Sequence, residues 1–131
     1  MMKENPDAEK IASTINFAAW WWHDRLIRHF DHITGCFVTP EQLKSFRGSI
    51  IACLVYDYKT GYKGVWMMSD HLCMRLSIAA KHAGIPESFF PDHVSMRVNF
   101  KEGSVGVIDG YGAKYKTLYE FEKSGVYDRD E

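Results

Sequence analysis

The sequence predicts an α+β fold: a single domain of 131 residues in which a long N-terminal helix and two shorter helices pack on an antiparallel or mixed sheet with a C-terminal three-stranded meander. Three observations predict it. Apolar residues recur every three or four positions near the start of the chain, which is helical spacing. Between residues 94 and 121 apolar and polar residues alternate, as in strands with one solvated face. Glycine-containing turns separate the alternating segments.

The first helix is predicted from Pro6 to just before Gly35. Asn5 can cap its N-terminus, and proline suits the first helical position. Glycine is typical of the position just after a helix. The apolar stripe that defines this helix consists of Ala12, Ile15, Ala19, Trp22, Leu26, Phe30 and Ile33.

The middle of the chain is predicted as a short helix followed by a hairpin. Thr39 and Gln42 flank Pro40 in a capping-box pattern, so a second helix begins there, and we expect it to end near Gly48. Residues 50–56 are short, apolar and partly β-branched, which indicates a buried strand. A turn at residues 59–61 then leads to a partner strand at 62–68.

The remaining elements follow from caps and alternation. Ser69 is predicted to cap a third helix that ends at Gly84, with Pro86 just beyond it. Residues 94–100, 105–109 and 115–121 are predicted to form the meander. We expect residues 126–131 to be a solvated, flexible tail.

Composition narrows the classes of function. Sixteen basic and seventeen acidic side chains give a net charge of −1, which argues against a protein that mainly coats nucleic acid. The three cysteines, widely spaced, suggest neither a disulfide framework nor a zinc knuckle, so a reducing cytoplasmic setting is expected. We expect no signal peptide, and every apolar run is too short to span a bilayer.

Three consecutive tryptophans are the most informative feature of the chain. Successive helical residues lie about 100° apart, so Trp20, Trp21 and Trp22 together cover roughly 200° of the helix. A single core-facing stripe cannot bury all three. At least one must meet a second layer of this protein, another copy of the chain, or a foreign partner.

Trp21 lies nearly opposite the apolar stripe and shares its face with three cationic or titratable residues. Aromatic and arginine side chains are the anchors that protein interfaces favour. The predicted partner-binding residues are therefore Trp21, Arg25, Arg28 and His32. The alternative is that this face is a second core surface within the same domain.

Histidine placement raises the possibility of a metal site. Four of the six histidines adjoin an aspartate, although adjacent helical side chains point about 100° apart and seldom bind one ion together. His29 and His32 share a helical face and could hold a metal with further ligands from elsewhere. The alternative ligand set is His29, His32, Asp70, His71, Asp92 and His93. His23, inside the apolar stripe, is instead expected to be a buried imidazole bonded to a neighbour.

Other catalytic patterns are weak. No serine lies in a nucleophile elbow, and the glycines between 103 and 112 fit turns better than a phosphate-binding loop, so we predict no catalytic residues. Tyr115 could stack nucleic-acid bases, but Lys114 and Lys116 should point the other way, and Glu120 offsets their charge. Nucleic acid is therefore not an expected partner.

The sequence favours recognition over catalysis. We expect a small intracellular protein-binding module, of the regulator or inhibitor type found among bacterial or phage accessory proteins, without a cofactor or membrane association. A homodimer is compatible with this prediction. The alternative is a metal-dependent hydrolase, a nuclease or phosphohydrolase, that uses a divalent metal held by the histidine and aspartate set above.

Overall fold

The computed structural model describes residues 6–27, 30–31, 36–70 and 73–129. It confirms the predicted α+β fold, with helices packed on an antiparallel sheet. The elements are α1 (Pro6–Ile27), β1 (Phe30–Asp31), β2 (Cys36–Phe37), α2 (Pro40–Lys59), β3 (Gly64–Met68), α3 (Met74–Ala83), a 3₁₀ turn (Glu87–Phe89), β4 (Val94–Asn99), β5 (Ser104–Asp109), β6 (Lys116–Glu120) and α4 (Phe121–Ser124). Within the described part of the chain, no helix is long and apolar enough to cross a membrane.

The main sheet has the strand order β3-β4-β5-β6, and every neighbouring pair is antiparallel. The predicted meander of β4, β5 and β6 is therefore confirmed. The pairing of β5 with β6 is irregular between Val105 and Gly106, where the register shifts. The predicted partner of β3 was wrong, because β3 pairs with β4 and not with residues 50–56.

Residues 50–56 belong to α2, so the predicted strand at this position was wrong. The capping box at Thr39 is present as predicted: its side chain accepts a hydrogen bond from the Gln42 amide. Gly48 is exposed and does not end the helix. Because Phe46, Ile50 and Leu54 are buried at helical spacing on both sides of this glycine, the core continues the helix through it. At 20 residues, α2 is nearly as long as α1 and not a short helix.

Two other helix bounds differ from the prediction. Helix α1 ends at Ile27 and not near Gly35, because Phe30 pairs with Phe37 in the two-stranded sheet of β1 and β2. Helix α3 begins at Met74 and not after Ser69. The Ser69 hydroxyl accepts a hydrogen bond from the Val94 amide, so this serine joins the end of β3 to β4 and does not cap a helix. The predicted end of α3 is confirmed by the left-handed Gly84.

The core lies between the sheet and the helices. Helix α1 contacts β4, β5 and β6, while α2 packs against both α1 and α3. The strands contribute the inward-facing side chains Val65, Met67, Val94, Met96, Val98, Val105, Val107 and Tyr119, all buried. The opposite face of the sheet carries exposed side chains and is called the open face below.

Candidate recognition surface

Trp20 is buried inside this protein by two arginines from distant segments. The Arg47 guanidinium of α2 lies 4.0 Å from the centre of the indole ring, and the Arg129 guanidinium lies 3.9 Å from it. The indole N–H donates to the carbonyl of Arg129 at 3.0 Å. Residues near the C-terminus are therefore joined to α1, and Tyr127 packs edge-on against Phe17. Residues 127–129 therefore do not form a purely solvated tail.

The other two tryptophans also meet this protein's own core. Trp22 is fully buried and lies 6.2 Å from the ring of Phe90. Trp21 is half-buried, with its ring perpendicular to Trp22 at a centroid distance of 5.0 Å. Trp22 belongs to the core-facing stripe, and of the three explanations that the sequence allowed, a second internal layer accounts for Trp20 and partly for Trp21.

The predicted partner-binding face of α1 is tied to the sheet through Arg25. Its guanidinium donates to both carboxylate oxygens of Asp109, each at 3.1 Å, and lies 5.4 Å from the Trp21 ring centre. Arg28 and His32 lie outside the described residues. The two described members of the predicted site thus contribute to holding α1 on β5, and their role in binding a partner stays a prediction.

His23 is the buried, hydrogen-bonded imidazole that the sequence predicted. Its Nδ1 lies 3.2 Å from Asp24, although adjacent helical residues usually point apart. Burial lowers the pKa of His23 below its ordinary value of 6.5, and the nearby charge of Arg47 acts in the same direction. The pKa of Asp24 is also lowered, because its carboxylate accepts hydrogen bonds from Arg129 and His23, which outweigh its desolvation.

The alternative metal ligands are only partly placed by the structure. The His93 amide donates a hydrogen bond to one carboxylate oxygen of Asp70, and the Nδ1 atom of His93 lies beside the other oxygen; each distance is 2.7 Å. Asp92 is exposed, whereas His29, His32 and His71 lie outside the described residues. Among the residues that are described, no three histidine, cysteine, aspartate or glutamate side chains converge on a common point. A metal-dependent activity therefore stays a prediction.

The open face of the sheet presents a different set of anchors. In the register of the four strands, Trp66, Arg97, Gly106 and Thr117 form one row across the sheet. The Trp66 side chain is 42% exposed, and Arg97 and Thr117 are exposed as well. Met68, two residues beyond Trp66 on the same face, is 45% exposed. Large apolar side chains thus extend along one edge of this face.

Tyr115 lies across the row because Gly106 has no side chain. A Cβ atom at position 106 would clash with the hydroxyl end of the Tyr115 side chain, where the nearest atoms are the hydroxyl oxygen and Cζ, followed by Cε2 at 2.8 Å. The ring therefore rests directly on the backbone of β5. It lies 6.3 Å from the Trp66 ring at a steep angle, and it is 45% exposed. Glycine at this position is what allows an aromatic pair to form across the middle of the open face.

A shallow groove of about 560 Å³ begins beside Tyr115. Its lining is mainly polar and includes both signs of charge. The lining residues are Arg97, Asn99, Lys101, Glu102, Ser104, Tyr115, Thr117, Glu120 and Glu122. Aromatic side chains flanked by mixed charge and hydrogen-bonding groups resemble the apolar centre and polar rim of protein interfaces.

Sequence reasoning missed Trp66, Arg97 and Tyr115 as a group. Their alternation with buried neighbours showed which side of each strand they occupy, but not which strands are adjacent. Because residues 62–68 were assigned to a hairpin with 50–56, Trp66 was placed apart from the meander. Comparison with protein-family models and with curated proteins finds no match to this chain.

Proposed function

We propose that this chain is a small protein-recognition module, of the regulator or inhibitor type, that binds its partner through the open face of the sheet. The observation that carries the proposal is the exposed group of Trp66, Tyr115 and Arg97 in one region. Tryptophan, tyrosine and arginine are the residues most enriched at the energetic centres of protein interfaces. A reducing intracellular setting is part of the proposal, and it suits the free thiols of Cys53 and Cys73.

The open face supports this role better than the helix face predicted from sequence. Arg25 already has a bidentate carboxylate partner in Asp109, so binding another protein there would require an exchange of ion pairs. Trp21 is half-covered by neighbouring side chains. Trp66 and Tyr115, by contrast, each leave more than two fifths of their surface to solvent. Burying that apolar area on a partner would be favourable without disrupting the fold.

The test is site-specific photo-crosslinking with benzoylphenylalanine at position 66, 115 or 56 in a lysate of the source organism. Tyr56 is the matched control, since it is an aromatic residue of α2 that is 68% exposed. We expect the same foreign protein to be captured from positions 66 and 115 but not from 56. Adducts of twice the chain's own mass are counted separately, because they report self-association. Foreign adducts at 56 alone, or equal adducts at all three positions, would contradict the proposal.

Single-stranded nucleic acid is a second candidate that one observation favours. Two aromatic rings and an arginine on an open four-stranded antiparallel sheet can stack bases. The groove is lined by two cations, Arg97 and Lys101, and by three glutamates, so its net negative charge opposes phosphate binding. Fluorescence titration with mixed-sequence oligonucleotides at low salt separates the two candidates. Saturable binding that is lost in Tyr115→Ala would favour nucleic acid, and a flat titration would favour the protein partner.

A further inference from the structure

Strand β3 is an edge of the sheet, and its outward backbone groups can be identified from the register. The Phe100 amide donates to the Lys63 carbonyl, and the Ser69 amide donates to the Val94 carbonyl. Odd-numbered residues of this strand therefore direct their N–H and C=O groups towards β4. The N–H and C=O groups of Gly64, Trp66 and Met68 point away from the sheet. Among the described residues, one of these groups has a backbone partner: the Met68 carbonyl accepts a hydrogen bond from the Cys73 amide.

This edge lacks the features that usually protect a sheet from pairing. Its five residues, Gly-Val-Trp-Met-Met, contain no charge and no proline. Proteins generally guard exposed edges with lysine, proline or bulges, because an unguarded apolar edge pairs with another strand. The opposite edge of the same sheet, β6, begins with Lys116 and ends with Glu120. The two edges of the sheet therefore differ in charge, and the uncharged β3 edge is the one suited to pairing.

We propose that β3 pairs antiparallel with β3 of a second copy of this chain, with the two-fold axis at Trp66, to give a continuous eight-stranded sheet. In this register the two Trp66 residues exchange both of their backbone hydrogen bonds. Gly64 lies opposite Met68 of the other copy, and the absence of a side chain at Gly64 leaves room for the longer methionine. The Met68 amide can then donate to the Gly64 carbonyl on each side of the axis.

The charges at the two ends of β3 favour a second copy in this orientation. Lys63 precedes the strand and Asp70 follows it, and both are exposed. Antiparallel pairing about Trp66 brings Lys63 of each copy to the end at which Asp70 of the other copy lies. Opposite charges therefore lie at the same end of the paired strands, where Asp70 also bonds to the amide and the Nδ1 atom of His93, whereas a parallel arrangement would place like charges together. The contact uses the backbone edge of β3, whereas the proposed function uses the side chains of the open face; Trp66 belongs to both, and Tyr115 belongs only to the open face.

The test is sedimentation analysis of the full chain over a range of concentrations, with charge variants at the axis. Trp66→Lys and Trp66→Glu each place like charges opposite one another, so each alone should raise the dissociation constant of the dimer at least about tenfold. An equimolar mixture of the two variants places lysine opposite glutamate and should restore dimers. Recovery of pairing in the mixture shows that both variants are folded, and circular dichroism of each variant alone excludes misfolding if the mixture stays monomeric.

The matched control is Tyr56→Lys, which adds the same charge to α2 at an aromatic side chain that is 68% exposed. It should leave the dimer unchanged. A parent chain that stays monomeric at all concentrations would overturn the inference. So would a Trp66→Lys variant that dimerises as tightly as the parent, or a mixture that stays monomeric. Foreign crosslinks at position 115 would survive any of these results, so the two proposals fail separately.

Discussion

Replacing Arg129 by glutamine should measure how strongly residues near the C-terminus are attached to α1. The substitution removes two hydrogen bonds to Asp24, at 2.7 and 3.1 Å, and the guanidinium that lies on the Trp20 ring. The Trp20 N–H bond to the Arg129 carbonyl involves only the backbone of residue 129, so it can persist. The variant therefore isolates the contribution of the charged side chain.

The expected magnitude follows from the exposure of the groups. The ion-paired side chains are 40% and 42% exposed, so solvent screening limits their pairing to about 0.5 kcal/mol. The cation–π contact with the buried Trp20 adds about 0.5–1 kcal/mol. We expect Arg129→Gln to lower the free energy of unfolding by about 1–1.5 kcal/mol, or the melting temperature by about 4–6 °C in a chain of this size.

Urea unfolding of four proteins tests this expectation: the parent, Arg129→Gln, Asp24→Asn and the double variant. The double-mutant cycle should give a coupling energy of about 0.5 kcal/mol between the two side chains. Lys123→Gln is the control, because Lys123 pairs with Glu120 at 3.5 Å and is 76% exposed. Its effect should stay below about 0.3 kcal/mol. The reasoning is refuted if Arg129→Gln destabilises the protein no more than this control does.

Three further predictions concern the core and the open face. The pKa of His23 is lower in the folded state, so the unfolded chain takes up the proton first and stability should fall as the pH drops through about 6.5. Urea unfolding at pH 7.5 and pH 5.5 measures this fall, which should be smaller in His23→Gln than in the parent. Gly106→Ala should displace the Tyr115 ring from the sheet, and loss of nuclear Overhauser contacts between that ring and residue 106 would report it. Asp57→Asn should destabilise the fold by about 2 kcal/mol in thermal unfolding, because the Arg75 guanidinium loses its buried carboxylate partner. The first prediction is contradicted by equal pH dependence in the parent and His23→Gln, and the second by a Tyr115 ring that does not move. An unchanged melting temperature in Asp57→Asn contradicts the third.

Structural features that depend on a single turn of the backbone were predicted correctly from the sequence. The Thr39 capping box and the left-handed Gly84 both lie where they were predicted. Each depends on a hydrogen bond or a φ angle within a few residues, so the sequence nearby determines it. Strand β4 was also predicted correctly, because buried and more exposed side chains alternate along it.

Errors arose where a distant contact decides between two local conformations. Residues 50–56 are β-branched and apolar, which fits a buried strand, yet Ile50 and Leu54 are buried four residues apart on α2. The spacing from Leu43 to Asp57 would have revealed one continuous helix if Gly48 had not been read as its end. The open face could not be predicted, because the adjacency of β3 and β4 depends on pairing between segments about 30 residues apart.

The attachment of Arg129 to Trp20 also bears on the order in which the chain folds. It joins residues 109 positions apart, whereas the strands of the meander pair with their immediate neighbours in sequence. Closing a long loop costs more chain entropy than forming a hairpin, so the sheet can form before α1 is fixed upon it. Three of the four tryptophans lie on α1 and the fourth lies on β3. In stopped-flow refolding, a chain that retains only Trp66 should therefore reach its native fluorescence earlier than one that retains only Trp20.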